Sequence, residues 1–252
     1  MLWLYWQPAL AQEVDCGQDE FSETAVQTLK GLYDADYYDT MTILYELDAL
    51  LTQALEDCLE NIPDYRGIPS SRTEDGAYVL GDPDAPITII QFADVLCDHC
   101  RDYKSVIDQF IEEFVMTGEA RFEYRFLPTQ DDSLFAFQLL QCTDVLRPGA
   151  FWYAYDRLYD LVDTDTITSD VLLQFTREFA LDTAVLSACL PTAEQSFVDQ
   201  ELADDLEVQG APTVFVRYGY GPIQPIVIDS FVYNSPPIEI LRLIIESRGD
   251  NS

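Results

Sequence analysis

The sequence predicts an α/β protein in which one strand–helix–strand unit carries the chemistry. An α-helical hairpin precedes that unit, and a run of helices interrupts it before the last strands. Three observations lead there. "ITIIQFA" (87–93) is a short, mostly β-branched apolar run, the pattern of a buried strand. From Cys97 to about Thr117 the spacing turns helical, with Tyr103, Val106, Ile107, Phe110, Ile111 and Phe114 on one side. "ARFEYRFLP" (120–128) then alternates like a strand. The unit opens its helix on "CDHC", Cys97 to Cys100, and the only histidine of the chain stands inside that motif.

The chain has 252 residues, 48% of them hydrophobic, enough for one large domain or two small ones. Its 46 acids against 13 bases give a net charge of −33. A surface of that sign repels phosphate backbones and anionic lipid, so nucleic acid is excluded as a partner and membrane-surface binding is disfavoured. The first eleven residues, "MLWLYWQPALA", are apolar, too short to span a bilayer, and end in an A-x-A pattern. They read as the remnant of a signal peptide. An even count of six cysteines agrees with an oxidising, extracytoplasmic compartment, periplasmic, cell-surface or secreted.

Residues 12–66 read as the helical hairpin. "SETAVQTLKGLY" starts on a capping-box-like Ser22, and the following stretch spaces Ile43, Leu44, Leu47, Leu50, Leu51, Ala54, Leu55 and Leu59 helically. Cys16 lies before the first helix and Cys58 near the end of the second. Those ends are neighbours in an antiparallel hairpin, so a Cys16–Cys58 disulfide is expected, restraining a unit too small to bury much core. Residues 67–86, rich in Pro, Gly, Ser and Asp, read as a linker with a short strand near Ala77–Leu80. Residues 87–252 form the second domain. Its stretch 133–206 reads as a series of helices, including "SLFAFQLLQC", "AFWYAYDRLYDLV" and "TSDVLLQFTREFAL". "DTDTITSD" (163–170) faintly suggests a calcium loop but lacks the central Gly and terminal Glu; a loop running into a helix cap fits better. "PTVFVRY" and "IQPIVIDSFVY" read as two strands, and "PIEILRLIIESR" as the last helix.

A C-x-x-C pair can hold zinc, lock a loop, or exchange electrons with other thiols. Zinc wants four ligands, and the remaining cysteines are single and widely spaced, so no metal is expected. A cysteine at a helix N-terminus has its thiolate stabilised by unpaired N–H groups and the helix dipole. The first cysteine is then exposed and nucleophilic. The second, one turn deeper, can attack a mixed disulfide made by the first.

With those residues in view, "GDPDAPITIIQFADVLCDHC", "QGAPTVFV" (209–216), "LLQCTDV…AFWYAYDRLYD" and "LSACL" resemble the DsbA-like thiol–disulfide oxidoreductases of the thioredoxin superfamily. The resemblance covers 81–252, about two-thirds of the chain, with the motifs in the right order; the hairpin falls outside it. It implies a thioredoxin fold with a helical insertion. It also implies that Cys97 is the nucleophile and Cys100 the resolving thiol. Pro212 would be a cis proline after Ala211, facing the motif and presenting main-chain groups to an extended substrate. Cys142 and Cys189 would form a structural disulfide in the insertion, the plainer alternative being two buried free thiols. No cofactor is expected.

Within the motif, His99 is expected to stabilise the Cys97 thiolate, and Asp98, an adjacent carboxylate, to oppose it. Gln91 stands where the family often has an acid, six residues before the first cysteine. It cannot titrate, so proton transfer at Cys100 needs water or another group. The function expected is exchange of a Cys97–Cys100 disulfide with protein thiols, as oxidase or as isomerase or reductase, served by an unidentified redox partner. The contrasting expectation is a non-catalytic scaffold that acts through its helical hairpin. Such a scaffold would have inert thiols.

Overall fold

The structure is a computed structural model and describes residues 65–162 and 166–247. The leader-like 1–11, nearly all of the expected hairpin, the Cys16–Cys58 pair, and Asp163 and Asp165 of the calcium-like loop lie outside the described residues. The described chain begins with a short 3-10 turn, Tyr65–Gly67. Seven strands follow among these residues: β1 (Ser70–Arg72), β2 (Tyr78–Leu80), β3 (Ile87–Ala93), β4 (Arg121–Phe126), β5 (Thr213–Tyr218), β6 (Gln224–Ile228) and β7 (Phe231–Tyr233). They make one sheet in the order β1-β2-β4-β3-β5-β6-β7.

β3 is central because every one of its residues can be buried on both faces, and all seven are. It runs parallel to β4, with Thr88 opposite Arg121 and Ala93 opposite Phe126. It runs antiparallel to β5, with Ile87 opposite Tyr218 and Phe92 opposite Thr213. The parallel pair needs a crossover. That crossover is helix α1 (Asp98–Phe110), which runs on into a π-helical turn, Ile111–Val115. Cys100, Tyr103, Ile107 and Phe110 form its buried stripe.

The alternation of β4 sorts its side chains. Phe122, Tyr124 and Phe126 enter the larger core, with α1 and the helical insertion. On the other face Glu123 and Asp199 both pair with Arg125, as buried charges must be paired. Arg125 donates to Glu123 Oε1 (2.8 Å), Asp199 Oδ1 (2.9 Å) and Asp75 Oδ2 (2.6 Å). Asp199 also accepts from the Phe126 backbone N–H at 2.9 Å. A second, smaller core lies on the Asp199 side, built on Ile90, Phe92, Leu127, Ala203 and Phe215.

The insertion comprises α2 (Ser133–Leu146), α3 (Phe151–Leu161), α4 (Ser169–Glu178), α5 (Thr183–Cys189) and α6 (Gln195–Asp205); α7 (Ile238–Glu246) closes the described chain. Caps start two of them. Thr168 Oγ1 accepts from the Val171 N–H (3.3 Å), so the calcium-like stretch ends as a helix cap. Asp182 Oδ1 accepts from the N–H groups of Ala184 (2.8 Å) and Val185 (2.9 Å). Cys142 of α2 is bonded to Cys189 of α5, with Cα atoms 5.9 Å apart.

Two details differ from the sequence reading. The stretch 67–86, expected as a linker with one strand, supplies two strands, β1 and β2, to the sheet. Its exit needs Gly81 (φ +122°), because a Cβ there would sit 2.8 Å from that of Arg121. The single strand expected over 223–233 is a hairpin, β6 and β7. Asp229 (φ 51°) and Ser230 (φ 68°) both take the left-handed conformation that a tight two-residue turn requires.

Candidate active site

The site forms where β3 ends and α1 begins. Cys97 is the N-cap residue of α1, with extended backbone angles. Its carbonyl accepts from the N–H groups of Cys100 and Arg101, both at 3.0 Å, which starts the helix and sets the two thiols one turn apart. Both cysteines are free thiols. Cys97 keeps 8% of its surface and Cys100 none. Cys97 is thus less open than expected, because the segment before β5 lies over it. There the Ala211–Pro212 bond is cis, and the Ala211 carbonyl lies 3.7 Å from Cys97 Sγ. Beside this contact lies a cavity of about 390 Å³, between His99, Asp102, Tyr103 and Val106 of α1 and Ala211, Pro212 and Ser235 of the facing loops.

His99 is exposed and lines that cavity. Among the described residues it makes no hydrogen bond to Cys97. Asp98, expected to act on Cys97 with its full charge, is paired with the Arg101 guanidinium. Arg101 is held in turn by the Leu96 carbonyl (2.8 Å). Asp98 is therefore engaged in an i,i+3 ion pair with the residue just after the motif, a pairing that the sequence reading did not weigh.

Gln91 is buried in the middle of β3, beside Tyr124 of β4 and Val214 of β5. Its Oε1 has no hydrogen-bond partner among the described residues. The buried acid near the thiols is Asp94, which the sequence reading passed over. Its backbone N–H donates to Cys100 Sγ (3.4 Å) and its carbonyl accepts from the Cys97 N–H (3.1 Å). Its Oδ1 accepts from the Leu96 N–H (3.0 Å). Its Oδ2 accepts from the Thr129 N–H (2.8 Å), Thr129 Oγ1 (2.6 Å) and Ser133 Oγ (2.5 Å). One side chain thus ties the motif loop to the start of the helical insertion. The available signal was an acid inside the apolar run "FADVLC": an acid placed there must be buried and partnered.

Behind Cys100 stand three buried tyrosines. The rings of Tyr124 and Tyr155 are 4.9 Å apart, as are those of Tyr155 and Tyr159. Lys104, one turn below Cys100, lies 5.3 Å from the Tyr155 ring and 5.8 Å from that of Tyr159. Burial pushes the Cys100 thiol well above its ordinary range. The Asp94 N–H pulls the other way, while Cys97 and the Asp94 carboxylate add to the rise. Burial likewise holds all three phenols protonated.

A strand-end C-x-x-C, one thiol nearly covered beside the Ala211 carbonyl and one wholly buried, faced by a cis proline, defines a thioredoxin-fold dithiol site. Residues 73–218 match the thioredoxin family model, more than half of the chain, and the chain belongs to that family. It is 29% identical over 148 residues to the probable disulfide bond formation protein D of Bacillus cereus, covering 55% of this chain and 68% of that one. The crystal structure of oxidised BdbD from Bacillus subtilis superposes with a TM-score of 0.55 at 22% identity, over 67% of this chain and 90% of that chain. Chlamydia trachomatis DsbA does so with a TM-score of 0.53 at 24% identity, over 69% and 90%. The expected fold, a thioredoxin fold with a helical insertion, is the one observed.

Proposed function

We propose that this protein is an extracytoplasmic thiol–disulfide oxidoreductase that passes the Cys97–Cys100 disulfide to protein thiols. The observation that carries the reading is the division of the two thiols. Cys97 keeps a small exposed area next to the Ala211 carbonyl that borders the groove, and Cys100 is wholly buried behind it with its proton held tightly. A substrate thiolate attacks Cys97 Sγ; the Cys97–Cys100 bond breaks, and its electron pair leaves on Cys100, which takes a proton. The substrate's second thiolate then attacks the substrate sulfur of the mixed disulfide, and Cys97 departs. Two electrons and two protons have passed from the substrate dithiol to the enzyme pair. A redox partner that reoxidises the pair completes the cycle.

Pro212 and Ala211 are read as the substrate-facing backbone, His99 and Asp98 as modulators of Cys97, and Gln91 as a silent replacement for an acid. The oxidising direction is taken from the similarity to disulfide bond formation proteins. The compartment is taken from the bonded Cys142–Cys189 pair and from the similarity to disulfide bond formation proteins. Among the described residues no helix is long and apolar enough to cross a membrane.

The test is the reduction potential of the pair, equilibrated with glutathione buffers, trapped by alkylation and mapped by mass spectrometry. A value near about −120 mV is expected for a dithiol oxidase. A value near about −270 mV would reverse the direction, making the protein a reductant or isomerase. A pair that does not exchange with glutathione at all would leave only the scaffold reading.

A further inference from the structure

Resting on the oxidoreductase reading, we infer that the groove beside Cys97 selects polypeptide thiols with a lysine or arginine two residues from the reacting cysteine, and that Asp102 is the residue that selects them. Val106, Ala211 and Pro212 give the groove an apolar part of its lining, beside Tyr103. Tyr103 is not available to a ligand as a donor, since its hydroxyl already donates to the Pro236 carbonyl (2.6 Å). Two groups in the lining can carry charge, His99 and Asp102, and no lysine or arginine is among them.

The two cations of α1 are turned away from this space. Arg101 is held by the Leu96 carbonyl and Asp98; Lys104 pairs with Asp108 and, at 2.8 Å, with Asp156. Asp102 is exposed, and its carboxylate has no hydrogen bond or ion pair among the described residues. An open carboxylate on an apolar slot next to a reactive thiol is complementary to the long aliphatic stem and charged head of Lys or Arg.

The spacing sets the position. Asp102 lies five residues beyond Cys97, about 7.5 Å along the helix axis at the usual rise and about 140° around it, on the cavity side with His99, Tyr103 and Val106. In an extended substrate strand the side chains two residues either side of the cysteine point the same way as the cysteine. They stand about 6.5–7 Å from it. From one of those places the long stem of Lys or Arg spans the turn of the helix to Asp102 while its cysteine meets Cys97. Adjacent positions point away.

The test uses single-cysteine peptides of identical composition and net charge. Lysine stands two residues before the cysteine, two residues after it, or eight residues away. Each peptide in excess reduces the oxidised full-length protein, two peptide thiols per Cys97–Cys100 disulfide. The rate is divided by that peptide's rate with the uncharged 2-hydroxyethyl disulfide, which removes the effect of the lysine on the peptide's own thiol. Because the isomers have equal charge, attraction to the −33 surface as a whole is the same for each. One of the two near-lysine isomers is expected to lead the distant one by about two- to fivefold at low salt, as an exposed ion pair allows. In Asp102→Asn that ratio is expected to fall to about one. Equal rates for all isomers in the wild-type protein would overturn the inference, and so would an undiminished ratio in Asp102→Asn. If no peptide reduces the disulfide, the oxidoreductase reading itself fails and takes this one with it.

Discussion

The two cysteines of one motif differ because the helix start and the core treat them differently. Cys97 is placed by its own carbonyl, which begins α1, and by the Ala211 carbonyl opposite. Cys100 is enclosed by Asp94, the β3 end and the tyrosines. Desolvation raises a thiol's pKa because it penalises the charged form, so the sign is fixed: Cys100 stays a thiol through the whole neutral and mildly alkaline range. In the native reduced protein, iodoacetamide at pH 8 is therefore expected to label Cys97 and leave Cys100 unmodified. Cys100 labelling should appear only in denaturant, and peptide mapping by mass spectrometry separates the two. Equal labelling of both at pH 8 would mean that Cys100 is neither buried nor raised. The identity of the pair was legible in the sequence from the C-x-x-C spacing. The Asp94 anchorage and the tyrosine cage were not, since linear spacing says which face a side chain takes and not which neighbours cross to meet it.

At the scale of elements, strands and helices with strong periodicity were readable almost to the residue. "ITIIQFA" is β3 from end to end. The α1 stripe expected from spacing is the buried one, apart from a half-buried Val106. What escaped was structure held by pairing rather than by pattern. β1, "SSR", is exposed at all three positions and exists because β2 offers it a ladder. The charges of "FEYRF" are a second case. Alternation marks Glu123 and Arg125 as one face of a strand, and does not say what that face meets. The structure buries both, with Asp199 of α6 between the Arg125 guanidinium and the Phe126 N–H. Removing one partner of a buried ion pair is costly because the other charge stays buried. Asp199→Ala is expected to destabilise by about 3 kcal/mol, the low end of that range, since Arg125 keeps Asp75 and Glu123. Glu201→Ala, at an exposed position on the same helix, should stay within about 0.5 kcal/mol. Urea midpoints of the two variants decide this, and equal shifts would deny that α6 is fastened through Asp199.

For the whole molecule the dominant fact is charge. With 46 acids and 13 bases, most carboxylates have no basic partner wherever the chain puts them. The described ion pairs show how the few cations are used. Arg125 binds three carboxylates, Arg217 reaches Glu123 (2.8 Å), and Arg157 and Arg242 each clasp one acid with two nitrogens. These cations fasten strands and helices, and little positive charge is left to offset the surface. Self-repulsion of the unpaired acids then opposes the compact state, and salt relieves it by shortening the reach of each charge to about 3 Å at 1 M against about 30 Å at 0.01 M. Salt also weakens the exposed pairs, but those are worth little individually and are outnumbered. The net effect is stabilisation. Raising NaCl from about 10 mM to 1 M is expected to lift the midpoint of thermal unfolding by about 4–8 °C, equivalent to about 2 kcal/mol for a chain of this size. Circular dichroism melts at fixed pH measure it. A midpoint that falls with salt would show that the ion pairs, and not the repulsion between carboxylates, set the electrostatic balance of the fold.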